Sequence, residues 1–337
     1  MHTQEDIAIF TSKDLETDQE VRWCPGCGDY AVLSSVQKIL PGLGRPKHEF
    51  VFISGIGCSS RFPYYMNTYG LHSIHGRAAA IATGLKASRP ELSVWVITGD
   101  GDSLSIGGNH LIHTLRRNPD LNILLFNNQI YGLTKGQFSP TSERGKVTKS
   151  SPLGTADMPF NPLALVLGAN GTFVARTMDR DPRHQQDIYK RAYAHNGTSL
   201  VEIYQNCNVF NDGAFELMTE KDSKPFHSIF IEHGKPLLFA NNSKGILLDG
   251  LVPKIVDTSE VSANDCWIHD EKDQTKAYIL SRFFDKAELP RPFGVLYADD
   301  ERPAFEDLLK QQLPAVEDNK RKAFNKLLRS SNTWEVH

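Results

Sequence analysis

A strand that runs directly into a glycine-rich turn is the feature that most constrains the fold of this chain. Val94–Ser103 reads as a strand followed by Gly-Asp-Gly-Asp, and a second strand, Leu121–Phe126, ends just before an Asn pair. Asp100 and Asn128 are 28 positions apart, which suits one right-handed strand–helix–strand crossover. Both residues are therefore predicted at the carboxyl ends of neighbouring parallel strands, where open α/β sheets bind ligands.

The polar groups at this place favour a hard cation bound to a phosphate. Mg²⁺ prefers oxygen ligands, and the candidates are the Asp100 carboxylate, the Asn128 amide oxygen and the Ile130 carbonyl. Gly99 and Gly101 let the backbone approach phosphates closely, and the next helix, predicted to start near position 103, points its N–H groups at them. The alternative is an ordinary Gly-Asp turn with an unrelated Asn pair.

Apolar runs typical of buried strands alternate with helical patterns between about Asp18 and Asn211. This alternation predicts an α/β fold with an open, mostly parallel sheet and helices on both faces. The predicted strands are Phe50–Ile53, Val94–Thr98, Ile123–Phe126 and Leu200–Tyr204, and the predicted helices are Tyr30–Leu40, Arg77–Ser88, Leu104–Arg117 and Arg183–His195. With the polar connection that follows, this module is predicted to cover residues 18–235.

Residues 236–337 are predicted to be an accessory region that packs on a partner, with a solvated extension as the alternative. Lys244–Val256 resembles a hairpin or short strands, and Thr275–Phe284 a helix or strand. Pro290–Pro292 is expected to break the chain. Pro303–Leu313 and Asn319–Leu328 are predicted to be charged amphipathic helices.

Composition excludes several classes of function. The formal net charge of −3 gives no support for nucleic-acid binding, which is typically carried by a basic surface. No apolar run approaches the length of a bilayer span, so no membrane contact is expected. Met1–Glu20 is polar and lacks the apolar core of a signal peptide, and we therefore expect a cytoplasmic protein.

The chain has five cysteines. An odd number in a protein that is not expected to be secreted argues against a disulfide framework and favours cysteines that bind a metal or a cluster. Cys24 and Cys27 form a Cys-x-x-Cys pair, while Cys58 and Cys207 each follow a predicted strand. Four thiolates suit a zinc ion or a 4Fe–4S cluster; a single close pair favours the cluster, because zinc sites usually use two. A redox dithiol is the alternative for the pair. Cys266 is expected to be a free thiol, although it could replace Cys207.

The Gly-Asp-Gly and Asn-Asn pair resembles the cofactor signature of thiamine-diphosphate enzymes. Five motifs in order extend the resemblance to the beta subunits of 2-oxoacid:ferredoxin oxidoreductases, over about Arg22 to Asn211. They are Trp23-Cys-Pro-Gly-Cys-Gly28, Gly55-Ile-Gly-Cys-Ser-Ser60, His72-Ser-Ile-His-Gly-Arg77, Gly99-Asp-Gly-Asp102 and Phe126-Asn-Asn-Gln-Ile-Tyr-Gly-Leu-Thr-Lys-Gly-Gln137.

This resemblance implies oxidative decarboxylation of a 2-oxoacid to acyl-CoA and CO₂, or the reverse carboxylation. It implies thiamine diphosphate, Mg²⁺ and one 4Fe–4S cluster as cofactors, coenzyme A as co-substrate and ferredoxin as electron acceptor. No pyrimidine-binding module is recognisable in the chain, so the resemblance implies a separate alpha subunit that carries it. The two subunits would form a heterodimer or a dimer of heterodimers.

The resemblance also implies a set of residues that bind thiamine diphosphate. They are Ile56, Gly57, Cys58, Ser59, His75, Gly99, Asp100, Gly101, Asp102, Asn128, Tyr131, Gly132, Leu133 and Thr134. His75 is the candidate catalytic residue, for proton transfer or diphosphate binding; a buried His that satisfies backbone groups is the alternative. His72 is expected to be structural, and Arg77 a surface cation or an anion contact.

The loop after the Asn pair bears on the substrate. Leu133 stands where pyruvate-type members tend to carry a polar Asn, and Lys135 stands where a small residue would suit a small substrate. Arg61 follows a neighbouring strand end. Two cations near the cofactor would bind a second carboxylate, which favours 2-oxoglutarate over pyruvate or another 2-oxoacid. Alternatively, both are rim charges or contact the diphosphate.

Two rival interpretations of the whole chain remain at this level. A non-redox thiamine lyase would be colourless and would not need the cysteines. A zinc-stapled interaction module without enzymatic activity would contain zinc and bind no thiamine diphosphate. The visible spectrum and the metal content of the anaerobically purified protein distinguish all three interpretations.

Overall fold

The computed structural model describes residues 10–312, 320–329 and 334. Parts of the predictions for Met1–Glu20, Pro303–Leu313 and Asn319–Leu328 therefore lie outside the described residues. The strands of the described chain are β1 Phe50–Ser54, β2 Tyr69–His72, β3 Ser93–Gly99, β4 Leu121–Asn127, β5 Phe173–Met178, β6 Thr198–Tyr204, β7 Ser228–Phe230, β8 Leu238–Phe239, β9 Lys244–Asp249, β10 Val252–Asp257 and β11 Arg291–Ala298.

The α-helices begin and end close to the predicted positions where the sequence pattern is strong. They are α1 Asp29–Ile39, α2 Ala78–Ser88, α3 Asp100–Leu104, α4 Gly108–Arg117, α5 Pro162–Gly168, α6 Pro182–Ala194, α7 Glu216–Thr219, α8 Lys224–His227, α9 Gln274–Ser281, α10 Phe305–Gln312 and α11 Lys320–Leu328. Among them, no helix combines the length and apolarity needed to cross a bilayer.

The main sheet has the strand order β2-β1-β3-β4-β6-β5-β11-β7. All neighbouring strands pair in parallel except β5 and β11, which are antiparallel. Alternate side chains of β3 enter opposite layers: Val94 and Val96 pack in the cluster that contains residues of α2 and α4, whereas Trp95 and Ile97 pack with α1 and α6. Helices thus cover both faces, and the predicted fold class is confirmed.

The helix predicted over Leu104–Arg117 is wrong in its continuity. The structure has two helices, α3 and α4, and Ser105 between them leaves helical geometry at φ −93° and ψ −109°. Gly107 lets the chain turn tightly here, because a Cβ atom at this position would lie 2.5 Å from the carbonyl oxygen of Asp102. The helix after β3 also begins at Asp100 rather than near Ser103, which brings its first turn to the strand end.

The predicted break at Pro290–Pro292 is also wrong. Strand β11 starts at Arg291 and is buried along most of its length, and it lies in the main sheet between β5 and β7. A proline near the start of a strand is tolerated because few ladder bonds need its missing N–H. The predicted division at 235/236 therefore does not coincide with a break in the sheet. β2 and β5 were also not predicted.

The remainder of the region from 236 onward follows the predictions more closely. β9 and β10 form an antiparallel hairpin, to which β8 adds a third strand. The segment predicted as helix or strand over Thr275–Phe284 is helical, as α9 with a 3₁₀ turn after it. Leu280 and Phe283 of this segment pack in the same core cluster as β3 and β4.

Candidate active site

Asp100 and Asn128 lie at the ends of adjacent parallel strands. Gly99, the last residue of β3, pairs with Phe126 of β4, so Asp100 and Asn128 follow directly from neighbouring positions of the sheet. The crossover length therefore predicted their relation correctly. We call the group Asp100, Asn127, Asn128, Ser139 and Thr141 the carboxylate edge.

The Asp100 carboxylate is buried and is held by hydroxyl groups. Its Oδ2 accepts hydrogen bonds from Ser139 Oγ at 2.6 Å and from Thr141 Oγ1 at 2.5 Å. Burial raises the pKa of Asp100 to about 6, and within the described chain no Lys, Arg or His forms an ion pair with it. A buried carboxylate without a protein cation is a suitable ligand for Mg²⁺.

Asn128 and its loop are fixed by backbone contacts. Its Oδ1 accepts from the Ile130 N–H at 3.2 Å, and its carbonyl accepts from Asn211 Nδ2 at 2.9 Å. Between them, Gln129 has a left-handed φ of +56°. An amide oxygen has two lone pairs, so Asn128 can still accept a cation while its loop is held.

Asp102 ties the neighbouring loops together. Its Oδ1 accepts from the Gly76 N–H at 2.7 Å and from the Ile56 N–H at 3.1 Å, and its Oδ2 accepts from Thr98 Oγ1 at 2.8 Å. The Nδ1 atom of His75 lies 2.7 Å from the same Oδ1. His75 is partly exposed, whereas Asp102 is buried, so Asp102 contacts the imidazole from its buried side. Direct contact of either residue with a cofactor stays a prediction.

The loop after β1 brings further predicted residues to this place. Gly57 has a φ of +146°, and a Cβ atom there would meet open space, so its backbone is accessible. Ser59 is buried, and its Oγ would lie 3.7 Å from a Cβ atom at Gly99. The loop after β1 therefore lies close to the start of α3, and the glycines there leave the backbone free of side chains.

Tyr131 and Gly132 connect two parts of the site. The Tyr131 hydroxyl donates to the Gly101 carbonyl at 2.8 Å, and its ring occupies the position that a Cβ atom of Gly101 would need, at 2.3 Å. A Cβ atom at Gly132 would lie 3.3 Å from Cys58 Sγ and 3.7 Å from Cys207 Sγ. The dipeptide therefore touches the start of α3 on one side and two cysteines on the other.

Four of the five cysteines form one group, which we call the cysteine corner: Cys24, Cys27, Cys58 and Cys207. Burial raises the pKa of Cys27, and Asp29, Cys58 and Cys207 raise it further. Burial also raises the pKa of Cys58 to about 12, with Asp29, Cys207 and Cys24 adding to it. The thiols are therefore close enough to disfavour each other's ionisation. Cys24 is exposed at the outer side of the group.

Cys266 lies elsewhere. Its sulfur packs against β9, where a Cβ atom at Gly245 would be 2.4 Å from Cys266 Sγ. It is buried among the residues around the small sheet. The structure thus keeps Cys266 apart from the cysteine corner, in agreement with its expected role as a free thiol.

The candidate substrate residues are positioned less closely. Arg61 lies near Cys58 and His72: it opposes the burial that raises the pKa of Cys58, and it adds to the burial that lowers the pKa of His72. Lys135 has a left-handed φ of +75° and lines an open groove, and Leu133 is exposed. Their convergence on one substrate stays a prediction.

A buried network behind Asn127 was missed by the sequence reasoning. Asn127 donates to Glu202 Oε1 at 2.7 Å, and Glu202 Oε2 lies 2.7 Å from Nε of Arg176, both side chains being fully buried. Arg176 Nη1 donates to the Pro292 carbonyl of β11 at 3.1 Å. Thr141 Oγ1 completes the connection, 3.0 Å from Asn127 Oδ1. The hydroxyl-rich run around Thr141, shortly after the Asn pair, was the available signal.

Comparison with known proteins agrees with this geometry. Residues 55–203 match the family model described as thiamine pyrophosphate enzyme, C-terminal TPP binding domain. The fold and the loops at its strand ends thus define a thiamine-pyrophosphate enzyme module. The chain is 49% identical over 330 residues to 2-oxoglutarate oxidoreductase subunit KorB of Mycobacterium tuberculosis. This match covers 96% of this chain and 88% of that protein. It therefore belongs to the 2-oxoacid:ferredoxin oxidoreductase beta subunits, as predicted.

Two further similarities support this assignment. The 2-oxoglutarate synthase subunit KorB of Archaeoglobus fulgidus is 44% identical over 186 residues, 55% of this chain and 69% of that protein. A solved 2-oxoglutarate:ferredoxin oxidoreductase from Magnetococcus marinus, with 2-oxoglutarate, coenzyme A and succinyl-CoA bound, superposes with a TM-score of 0.75 at 31% identity. That match covers 95% of this chain and 97% of the neighbour.

Proposed function

We propose that this chain, with an alpha subunit, converts 2-oxoglutarate and coenzyme A to succinyl-CoA and CO₂ and passes the electrons through a 4Fe–4S cluster to ferredoxin. The observation that carries the proposal is the Tyr131–Gly132 dipeptide, which packs on Gly101 and on Cys58 and Cys207. It brings a site suited to a decarboxylating cofactor next to one suited to a redox centre. The same pair of sites would allow the reverse carboxylation.

The carboxylate edge fits Mg²⁺ and the diphosphate of thiamine diphosphate. Asp100, Asn128 and the Ile130 carbonyl would hold the cation, and the N–H groups at the start of α3 would face the phosphates. Thiamine diphosphate, when bound, supplies the carbon nucleophile and the electron sink for decarboxylation. His75, oriented by Asp102, would exchange a proton with the cofactor or contact its diphosphate.

The cysteine corner fits a 4Fe–4S cluster better than a zinc ion. Cys24 and Cys27 form one close pair, whereas Cys58 and Cys207 come from two other loops, and zinc sites usually use two close pairs. A cluster accepts four thiolates that are spread more widely.

The names of the relatives and the ligands of the solved neighbour support 2-oxoglutarate as the substrate. Arg61 beside Cys58 and Lys135 on its loop are the candidates to bind the second carboxylate. Exposed apolar side chains next to the cofactor loops, at Tyr69, Leu71 and Ile74, suit the surface that an alpha subunit would cover.

The test is the complex of this chain with its alpha subunit, purified without oxygen. We expect iron and a 4Fe–4S spectrum, and a kcat/KM for 2-oxoglutarate well above that for pyruvate. Lys135→Ala should lower kcat/KM for 2-oxoglutarate about 10- to 100-fold and leave that for pyruvate nearly unchanged. Lys149→Ala, in the same groove, is the matched control. An active complex without iron would contradict the proposed cluster. If Lys135→Ala lowered kcat/KM equally for 2-oxoglutarate and pyruvate, the proposed role of Lys135 would be wrong.

A further inference from the structure

A buried glutamine touches the cysteine corner. Gln205 follows β6 and is 1% exposed. Its Nε2 lies 3.3 Å from Cys27 Sγ and 2.6 Å from the Asn206 carbonyl oxygen. Its Oε1 is buried and has no hydrogen-bond partner in the described structure. A buried amide held in this way is costly unless it serves the site it faces.

The contact with the Asn206 carbonyl fixes which end of the Gln205 amide faces the sulfur. With the amide reversed, Oε1 would stand 2.6 Å from another carbonyl oxygen, and two acceptors repel at that distance. The amide nitrogen therefore occupies the position near both acceptors. Each of its two hydrogens can serve one of them, so an N–H is available to Cys27 Sγ.

Two acidic residues, Asp29 and Asp179, lie near the sulfur that this N–H faces. Asp29 is buried beside Cys27, and it is close to Asp179. Its oxygens accept no hydrogen bond from nitrogen or oxygen atoms of the described residues. A hydrogen bond to a ligating sulfur withdraws electron density and stabilises the more negative, reduced state of a cluster. Gln205 thus supplies a positive dipole at the side of the cluster where these carboxylates lie.

We infer that Gln205 is a positioning residue that raises the reduction potential of the cluster through its N–H contact with Cys27. The inference rests on the proposed function, because it requires the cluster. It assigns the residue no contact with the substrate or with thiamine diphosphate. Gln205 would therefore set how readily electrons leave the cofactor for the cluster, and leave cofactor binding alone.

The test is a potentiometric titration of the complex with its alpha subunit, followed by the EPR signal of the reduced cluster. Gln205→Leu keeps the volume and removes the N–H, so the midpoint potential should fall. We expect at least a tenfold lower ratio of reduced to oxidised cluster at a fixed potential, which equals 59 mV for one electron. Gln205→Glu, which keeps size and polarity but not the amide, should shift the potential in the same direction.

Gln185→Leu is the matched control. Gln185 is also fully buried, and its Nε2 donates to the carbonyls of Met178 and Asp179 rather than to a cysteine. Its replacement should leave the potential unchanged. The inference would be overturned if both Gln205 variants kept a normal EPR signal and an unshifted midpoint potential. It would also be overturned if Gln185→Leu shifted the potential equally. In both cases the proposed function would stand. Absence of the signal from the wild-type complex would overturn the proposed function and the inference with it.

Discussion

The carboxylate edge and the cysteine corner lie on either side of Gly132, yet the protein prepares them differently. At the edge, Asp100 and Asn127 have hydroxyl and carboxylate partners within the protein at 2.5 to 3.0 Å. At the corner, the buried thiols have raised pKa values, Oε1 of Gln205 lacks a hydrogen-bond partner in the described structure, and the oxygens of Asp29 have no nitrogen or oxygen donor there. Hydrogen bonds within the protein thus hold the carboxylate edge, whereas the buried groups of the cysteine corner are less fully paired.

This difference has a physical basis. A carboxylate that binds Mg²⁺ needs rigid positioning because the cation demands near-octahedral geometry. Hydrogen bonds from fixed neighbours provide that rigidity before the cation arrives. The thiolates of the proposed cluster would instead be held by covalent bonds to iron. Changes at the two regions should therefore have separate consequences.

The largest expected effect is at the corner. Cys58→Ser replaces a thiolate of the proposed cluster by a poor iron ligand, so on the proposed function the complex should lose the cluster and all ferredoxin reduction. Binding of thiamine diphosphate with Mg²⁺ should change less than about threefold, because the edge has its own partners. Iron analysis and calorimetry check both statements. Cys266→Ser, far from the corner, should keep the full iron content; a loss of iron there would contradict the assignment of ligands.

The second effect tests the support behind the edge. Arg176→Met leaves the buried charge of Glu202 with its hydrogen bond from Asn127 but without its cation, which should lower the free energy of unfolding by about 3–5 kcal/mol. Denaturant titration of the chain measures this loss. Arg89→Met removes an exposed ion pair with Glu91 and should cost less than about 1 kcal/mol. Equal losses in the two variants would show that the buried network does not support the edge.

A smaller effect is expected from one hydroxyl of the edge. Thr141→Val removes a donor to Asp100 and should weaken Mg²⁺-dependent binding of thiamine diphosphate about 10- to 100-fold, as outer partners of metal ligands commonly do. Titration of cofactor-free protein measures this. The iron content should not change. Thr83→Val removes a hydroxyl that donates to the Ala79 carbonyl within α2 and lies 3.2 Å from the Thr114 hydroxyl, and the cofactor affinity of this variant should match that of the wild type.

The smallest effect concerns the junction of the two regions. A methyl group at Gly132 would press on Cys58 Sγ at 3.3 Å, so Gly132→Ala should displace that sulfur by a few tenths of an ångström. We expect altered g values of the cluster's EPR signal with full iron content and a change of less than about threefold in cofactor affinity. An unchanged spectrum would mean that the dipeptide does not bear on the cluster.

Sequence reasoning predicted the parts of this site that follow from strand ends. Asp100, Asn128 and Cys58 come directly after or near buried strands, and parallel strands bring such positions to one edge. Ser139, Thr141, Gln205 and Asp29 were not predicted, because their contacts depend on how loops and a helix fold back in three dimensions. Strand β11 was missed for another reason: its prolines suggested a break, and only pairing with β5 and β7 makes the segment a strand.

The bond from Arg176 to the Pro292 carbonyl joins residues 116 positions apart. During synthesis, the strands that carry Asp100 and Asn128 leave the ribosome well before β11 does, and long-range pairing of this kind forms late in folding. Until β11 docks, Arg176 lacks one of its acceptors and the sheet keeps an open side at β5. We therefore expect the carboxylate edge of the nascent chain to reach its final form only after β11 has left the ribosome, so the proposed cofactors would bind after that point.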